Sequence, residues 1–73
     1  MSSVVRIDPE IMSGTPCFAG TRVPVKSLFD HLRRNHSIEY FLEQFPTVRP
    51  EQVTEILELG LRSVLATAER VVA

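Results

Sequence analysis

Apolar residues fall into three runs at helical spacing, preceded by a segment without that period. Val25, Leu28, Phe29 and Leu32 stand at i, i+3, i+4 and i+7, with Lys26, Asp30, Arg33 and Arg34 on the opposite side, which predicts a first helix over residues 25–34. Ile38, Phe41, Leu42 and Phe45 repeat the spacing and predict a second helix over 37–45. A third stripe, Val53, Ile56, Leu57, Gly60, Leu61, Val64, Leu65, Ala68, Val71 and Val72, faces Glu51, Glu55, Glu58, Arg62 and Glu69 and predicts a helix over 50–70. The punctuation agrees. Asn35 tolerates the left-handed conformation that closes a helix, Ser37 offers an N-cap hydroxyl, and Pro46 ends the second helix. Pro50 suits the first position of the third helix, but Arg49 before it is a poor cap.

Residues 4–25 read differently. Val4, Val5 and Ile7 are β-formers closed by Pro9, so a short strand is expected over 4–7. From Ser13 to Val25, Gly14 and Gly20 supply positive-φ positions while Pro16 and Pro24 exclude helix, giving a loop, a strand, a turn and a second strand. Both prolines lack an N–H, so this ribbon is short and keeps a free edge on which a second copy of the chain can pair. The expected architecture is one mainly α domain over 1–73, a three-helix bundle of helix-turn-helix outline (homeodomain-like or winged-helix-like) with a short N-terminal β element.

Size sharpens this picture. A 73-residue chain buries only about 60% of the surface its unfolded form exposes, so its core is thin. With the single cysteine Cys17 and no Cys/His cluster, neither an internal disulfide nor a zinc site adds to it. A partner subunit is the remaining source of stability, and a homodimer or higher homo-oligomer is expected. Helix three would run about 34 Å, against about 15 Å for helix one. Its end therefore either frays after Leu65 or docks Leu61, Val64, Leu65, Ala68, Val71 and Val72 on another chain. Gly60, on the stripe, weakens the helix unless another backbone approaches closely there.

The net charge of −1 argues against a strongly basic nucleic-acid binder, but it hides a split. Residues 1–34 hold five cations against three acids, +2, and residues 35–73 hold three against six, −3. The first turns of helix three, with Glu51, Glu55 and Glu58, would repel phosphates, although Gln52 could read an adenine and Glu55 accept from a cytosine amine. Candidate DNA contacts are Arg22, Lys26, Arg33, Arg34, Arg49 and Gln52; the competing reading of the cations is solvated surface charge. Arg22 stands out because its planar donor fork sits beside a tight Gly-Thr turn. Catalysis is not expected. Cys17 has no identifiable His or acid partner and reads as a small buried apolar residue, while His31 and His36 read as surface positions. No cofactor or metal is expected. The opening residues have no signal-peptide pattern and no window approaches a membrane span, so a cytoplasmic location is expected.

The run from Ile11 to Val25, above all Gly20-Thr21-Arg22-Val23-Pro24-Val25 preceded by Gly14 and Pro16, resembles the family called domain of unknown function 433, as do the Ser37-Ile38-Glu39 helix, Phe45-Pro46 and Pro50-Glu51-Gln52-Val53. The likeness covers roughly residues 4–65. Thr15, Ala19, Asn35 and Arg49 stand where that family more often has Lys, Arg, Gly and a Thr or Ser cap. The resemblance implies a bacterial or archaeal protein with a short β element and a helix-turn-helix-like bundle, paired with a PIN-like ribonuclease toxin as an antitoxin similar in role to the VapB class. On that reading the stripe of helix three occludes the toxin, with Arg70 meeting its acidic metal site, and operator DNA is a second partner. Two other readings stay open: a DNA-binding regulator without a toxin, and a structural dimerisation module.

Overall fold

The computed structural model describes residues 4–71, with side chains described for 4–69. Its elements are β1 (Val5–Arg6), a single 3₁₀ turn (Met12–Gly14), β2 (Cys17–Phe18), α1 (Val25–Arg33), α2 (Ile38–Gln44) and α3 (Pro50–Val71). The protein is thus a small, mainly helical bundle with a two-stranded antiparallel sheet at its N-terminal end.

β2 is the middle of the ribbon. On one side it pairs with β1, Val5 opposite Phe18 and Arg6 opposite Cys17, and the Ala19 N–H donates to the Val4 carbonyl at 2.8 Å. On the other, the Phe18 N–H donates to the Val23 carbonyl and the Val25 N–H to the Pro16 carbonyl, both at 3.0 Å. Pro24 faces Cys17 between these two bonds. That is the non-hydrogen-bonded position of an antiparallel pair, so the missing proline N–H leaves no carbonyl waiting, and Pro16 contributes only its carbonyl. This is how two prolines fit a ribbon of two-residue strands. The Thr21 hydroxyl shapes the turn between them, donating to the Phe18 carbonyl at 2.9 Å and accepting from the Val23 N–H at 3.0 Å.

Sequence patterning missed one feature here. Met12 (φ 53°) and Ser13 (φ 56°) join Gly14 (φ 84°) in the left-handed region, closed by Gly14 N–H to the Ile11 carbonyl and Thr15 N–H to the Met12 carbonyl. Only the glycine signals such a turn in advance; the two side-chain-bearing residues enter it against an intrinsic preference of roughly 1–2 kcal/mol each.

Val4, Phe18, Val23, Leu28, Phe41, Val48, Val53 and Ile56 form the core, with Phe18, Leu28 and Phe41 fully buried. The rings of Phe18 and Phe41 lie 6.0 Å apart at 49°, joining sheet to α2. Cys17 is buried as well, its thiol donating to the Thr15 carbonyl at 3.3 Å. Around this core the caps behave as the residue types dictate. Asn35 takes φ 70°, the His36 N–H reaches the His31 carbonyl and the Asn35 N–H the Leu32 carbonyl, a Schellman closure of α1. The Ser37 hydroxyl accepts from the Tyr40 N–H at 3.0 Å at the start of α2.

Arg49 turns out to be better supported than its side chain suggests. Gln52, three residues on, reaches back so that its Oε1 accepts from the Arg49 N–H at 2.9 Å, half of a capping box. Its Nε2 donates to the Ala19 carbonyl at 3.0 Å, tying α3 to the ribbon across the fold. Gln52 is 6% exposed. With both ends of the amide engaged, it has no edge to offer a base, and its placement among candidate DNA contacts is corrected to a fold-holding role.

His31 and His36 are also corrected, from surface positions to half-buried ones. Their rings lie 5.2 Å apart in a cluster with Tyr40, Phe41 and Phe45. The His31 Nδ1–H donates to the Ser27 carbonyl at 2.9 Å, while the buried His36 Nδ1 has no hydrogen-bond partner. The α1–α2 corner brings these rings together.

Candidate interaction surfaces

α3 is 22 residues long, about 33 Å, in a molecule whose longest dimension is 43 Å. Only its first turns are packed, through Gln52, Val53 and Ile56. From Leu57 onward every described side chain is exposed, and Gly60 is half-buried. Cover within the described fold runs out just past Ile56. Of the two expected endings, fraying after Leu65 is not what is seen, since the helix continues to Val71.

The exposed stretch is patterned. Leu57, Leu61, Val64, Ala68 and Val71 follow one another at steps of 4, 3, 4 and 3, the spacing by which one helix seats against another. Leu61, Val64 and Leu65 are 55%, 63% and 54% exposed, so each retains more than half of its apolar surface for a contact outside the described fold. A Cβ built on Gly60 meets nothing within 4 Å, so among the described residues nothing exploits the close approach that a glycine permits there. Arg70 and Val71 belong to the helix, but their side chains, and Val72 altogether, lie outside the described residues.

The sequence-derived cations separate into distinct places. Lys26, Arg33 and Arg34 line one shallow depression on α1 together with Asp30. Lys26 Nζ donates to Asp30 at 2.9 Å, and Arg33 stands 3.9 Å from the other carboxylate oxygen. The Lys26 hydrogen bond holds the Asp30 carboxyl below its ordinary value against desolvation, with the charges of Lys26, Arg33 and Arg34 acting in the same direction as the hydrogen bond. Asp30 therefore stays ionised and offsets part of this cationic face. Arg49 is exposed at the start of α3, beside the exposed Glu51, Thr54, Glu55 and Glu58. The first turns of α3 thus offer an acidic surface.

Arg22 lies apart from all of these. It borders an open cleft of about 530 Å³ shared with Arg6, Ile11, Gly20 and Thr47. Arg6 entered the sequence reading only as a charge, because nothing local links it to Arg22. The strand register does so by pairing residues 5–6 with 17–18, next to the turn that carries Arg22.

Among the described residues no group of three or more His, Cys, Asp or Glu side chains could hold a metal ion. No described helix is long and apolar enough to cross a membrane.

Comparison with known proteins gives the family and no activity. An uncharacterised protein of Sinorhizobium fredii (strain NBRC 101917 / NGR234), y4eO, is 38% identical over 50 residues, which are 68% of this chain and 23% of that protein. The chain therefore spans under a quarter of that relative's length. No solved structure matches. The model of the family described as "Protein of unknown function (DUF433)" matches residues 5–59, three-quarters of the chain. The matched segment contains all but one of the buried core residues and stops just after α3 leaves the core. With the Gly20–Val25 turn, the capped α1–α2 corner and the first turns of α3 all inside that match, the chain belongs to the DUF433 family.

Proposed function

We propose that the protein is the antitoxin of a type II toxin–antitoxin pair, which binds and inhibits a PIN-like ribonuclease through the projecting half of α3. One observation carries the reading: α3 continues as a helix from Leu57 to Val71, and its apolar positions from Leu57 to Ala68, at 4-3-4 spacing, have no cover within the described fold. An amphipathic helix of this kind recognises a partner by laying regularly spaced anchors into an apolar groove. Gly60 and Ala68 on the same face allow a partner helix or strand to approach closely. The family match ends at residue 59, so the seam from Leu61 onward lies beyond the matched segment. Arg70, near the end of the helix, carries a guanidinium suited to the acidic metal site of such a nuclease.

Operator DNA is the second partner in this proposal. The cations of the first half, Arg22, Lys26, Arg33 and Arg34, together with Arg49, supply phosphate contacts, while the acidic first turns of α3 keep that helix out of the groove. A homodimer, formed through the ribbon edge or by helix packing, would present two such faces.

The test is co-expression with the product of the neighbouring gene, followed by purification of the complex and a ribonuclease assay with and without this protein. Stoichiometric inhibition supports the reading. A regulator without a toxin, or a purely structural module, would leave the nuclease uninhibited.

A further inference from the structure

We infer that the cleft between β1 and the 18–23 turn is an anion site that takes a backbone phosphate of a nucleic-acid strand, with Arg6 and Arg22 as its two clamps. This deepens the DNA-binding half of the proposed function and does not depend on the toxin-binding half.

The lining is rich in donors and poor in acceptors. Arg6 and Arg22 are both exposed, and neither makes an ion pair or hydrogen bond with another described side chain. No carboxylate lines the cleft. This contrasts with α1, where Asp30 already occupies Lys26 and stands near Arg33. The backbone adds to the set. In the turn, the N–H groups of Ala19, Thr21 and Val23 are spent on Val4, Phe18 and the Thr21 hydroxyl, whereas those of Gly20 and Arg22 have no acceptor among the described residues. The Thr47 hydroxyl, also on the rim, likewise has no hydrogen-bond partner among the described residues. Two planar guanidinium forks, two amides and a hydroxyl, with no carboxylate among them, match the several oxygens of a phosphate.

The support is rigid and partly apolar. Arg6 is carried on β1, whose register is locked to β2, and Arg22 on a turn braced by both hydrogen bonds of the Thr21 hydroxyl. The ligand therefore does not have to order the backbone that carries its clamps. Ile11 and Val23 form the apolar part of the cleft. Their surface limits hydration on one side of the site, which strengthens the charge interaction, and gives a sugar an apolar face to rest on.

The experiment uses the full chain and fluorescently labelled 20-mer duplex and single-stranded DNA, with AMP and inorganic phosphate as competitors, read by anisotropy across a salt series. Binding at low salt is expected, and Arg6→Gln and Arg22→Gln should each weaken it about tenfold and lower the salt slope by about one. Arg33→Gln, which removes a cation already close to Asp30, should weaken it less. In parallel, amide NMR of the unsubstituted protein titrated with the oligonucleotide should move Gly20 and Arg22 first, a readout that needs no variant to fold. Efficient competition by AMP at equal phosphate would reassign the site to free nucleotides and overturn the strand assignment. Absence of binding at low salt, or binding that Arg6→Gln and Arg22→Gln leave unchanged, would overturn the site itself. Leu61→Glu, which probes the α3 seam, should leave this binding intact, so failure of one reading is separable from failure of the other.

Discussion

Replacing Gln52 tests how the fold is held, because one buried amide ties α3 both to its own cap and to the ribbon. In Gln52→Ala the Arg49 N–H loses its 2.9 Å acceptor and the Ala19 carbonyl its 3.0 Å donor. A typical net hydrogen bond contributes about 1 kcal/mol, and a buried group left unpaired costs about 1–3 kcal/mol. With Arg49 partly reached by water at the helix end, the sum is roughly 2–4 kcal/mol. A domain of 73 residues has roughly 4–11 kcal/mol of stability to lose, so the variant should be visibly marginal. Urea unfolding followed by circular dichroism should show the midpoint falling by about 2 M or more, at a slope of about 1 kcal/mol/M. Gln52→Glu is the sharper companion: it keeps an acceptor for Arg49 but sets a carboxylate oxygen against the Ala19 carbonyl, so it should be no more stable than the alanine variant. A loss below about 0.5 kcal/mol for Gln52→Ala would show that the tie between α3 and the ribbon is not what seats the helix.

Two further substitutions probe the backbone. Asn35→Ala places a Cβ-bearing residue without a local hydrogen-bonding side chain at φ 70°, and should lower stability by about 1 kcal/mol, whereas Asn35→Gly should be neutral or slightly stabilising; equal effects of the two in thermal unfolding would contradict the Schellman assignment. Gly60→Ala meets no obstacle among the described residues, so it should raise stability by up to about 1 kcal/mol in the same assay while weakening the proposed toxin complex at least tenfold. A stabilised variant with unchanged toxin affinity would remove Gly60 from the contact.

Local rules carried much of this architecture. The helix boundaries, the left-handed Asn35, the Ser37 cap and the burial of Cys17 all follow from spacing and side-chain chemistry within a few residues. What could not be read locally depended on contacts distant in sequence. Gln52 looked like a polar residue on a reading helix because its partner, Ala19, is 33 positions away. His31 and His36 looked exposed because only the α1–α2 corner brings them against Tyr40 and Phe45. The Arg6–Arg22 cleft needed the strand register, and the left-handed Met12–Ser13 pair had no signal in its residue types. The apolar stripe of α3 was legible in full, but the point where its cover ends was not. That point depends on how much of the helix the small core can reach, and the core closes at Ile56.

The central claim is that the uncovered seam of α3 is the toxin-binding surface. It is tested most directly by titrating the product of the neighbouring gene, the proposed ribonuclease, with the unsubstituted protein and with a Leu61→Glu, Val64→Glu variant, measuring affinity calorimetrically and nuclease inhibition in parallel. Both positions are more than half exposed, and Glu is a good helix former, so the variant should fold with its stability nearly unchanged. Placing two carboxylates where two apolar anchors seat should cost at least about 3 kcal/mol of binding, a hundredfold or more in affinity, with inhibition lost to match. A variant that folds normally and still inhibits the nuclease at the same stoichiometry and affinity would contradict the claim.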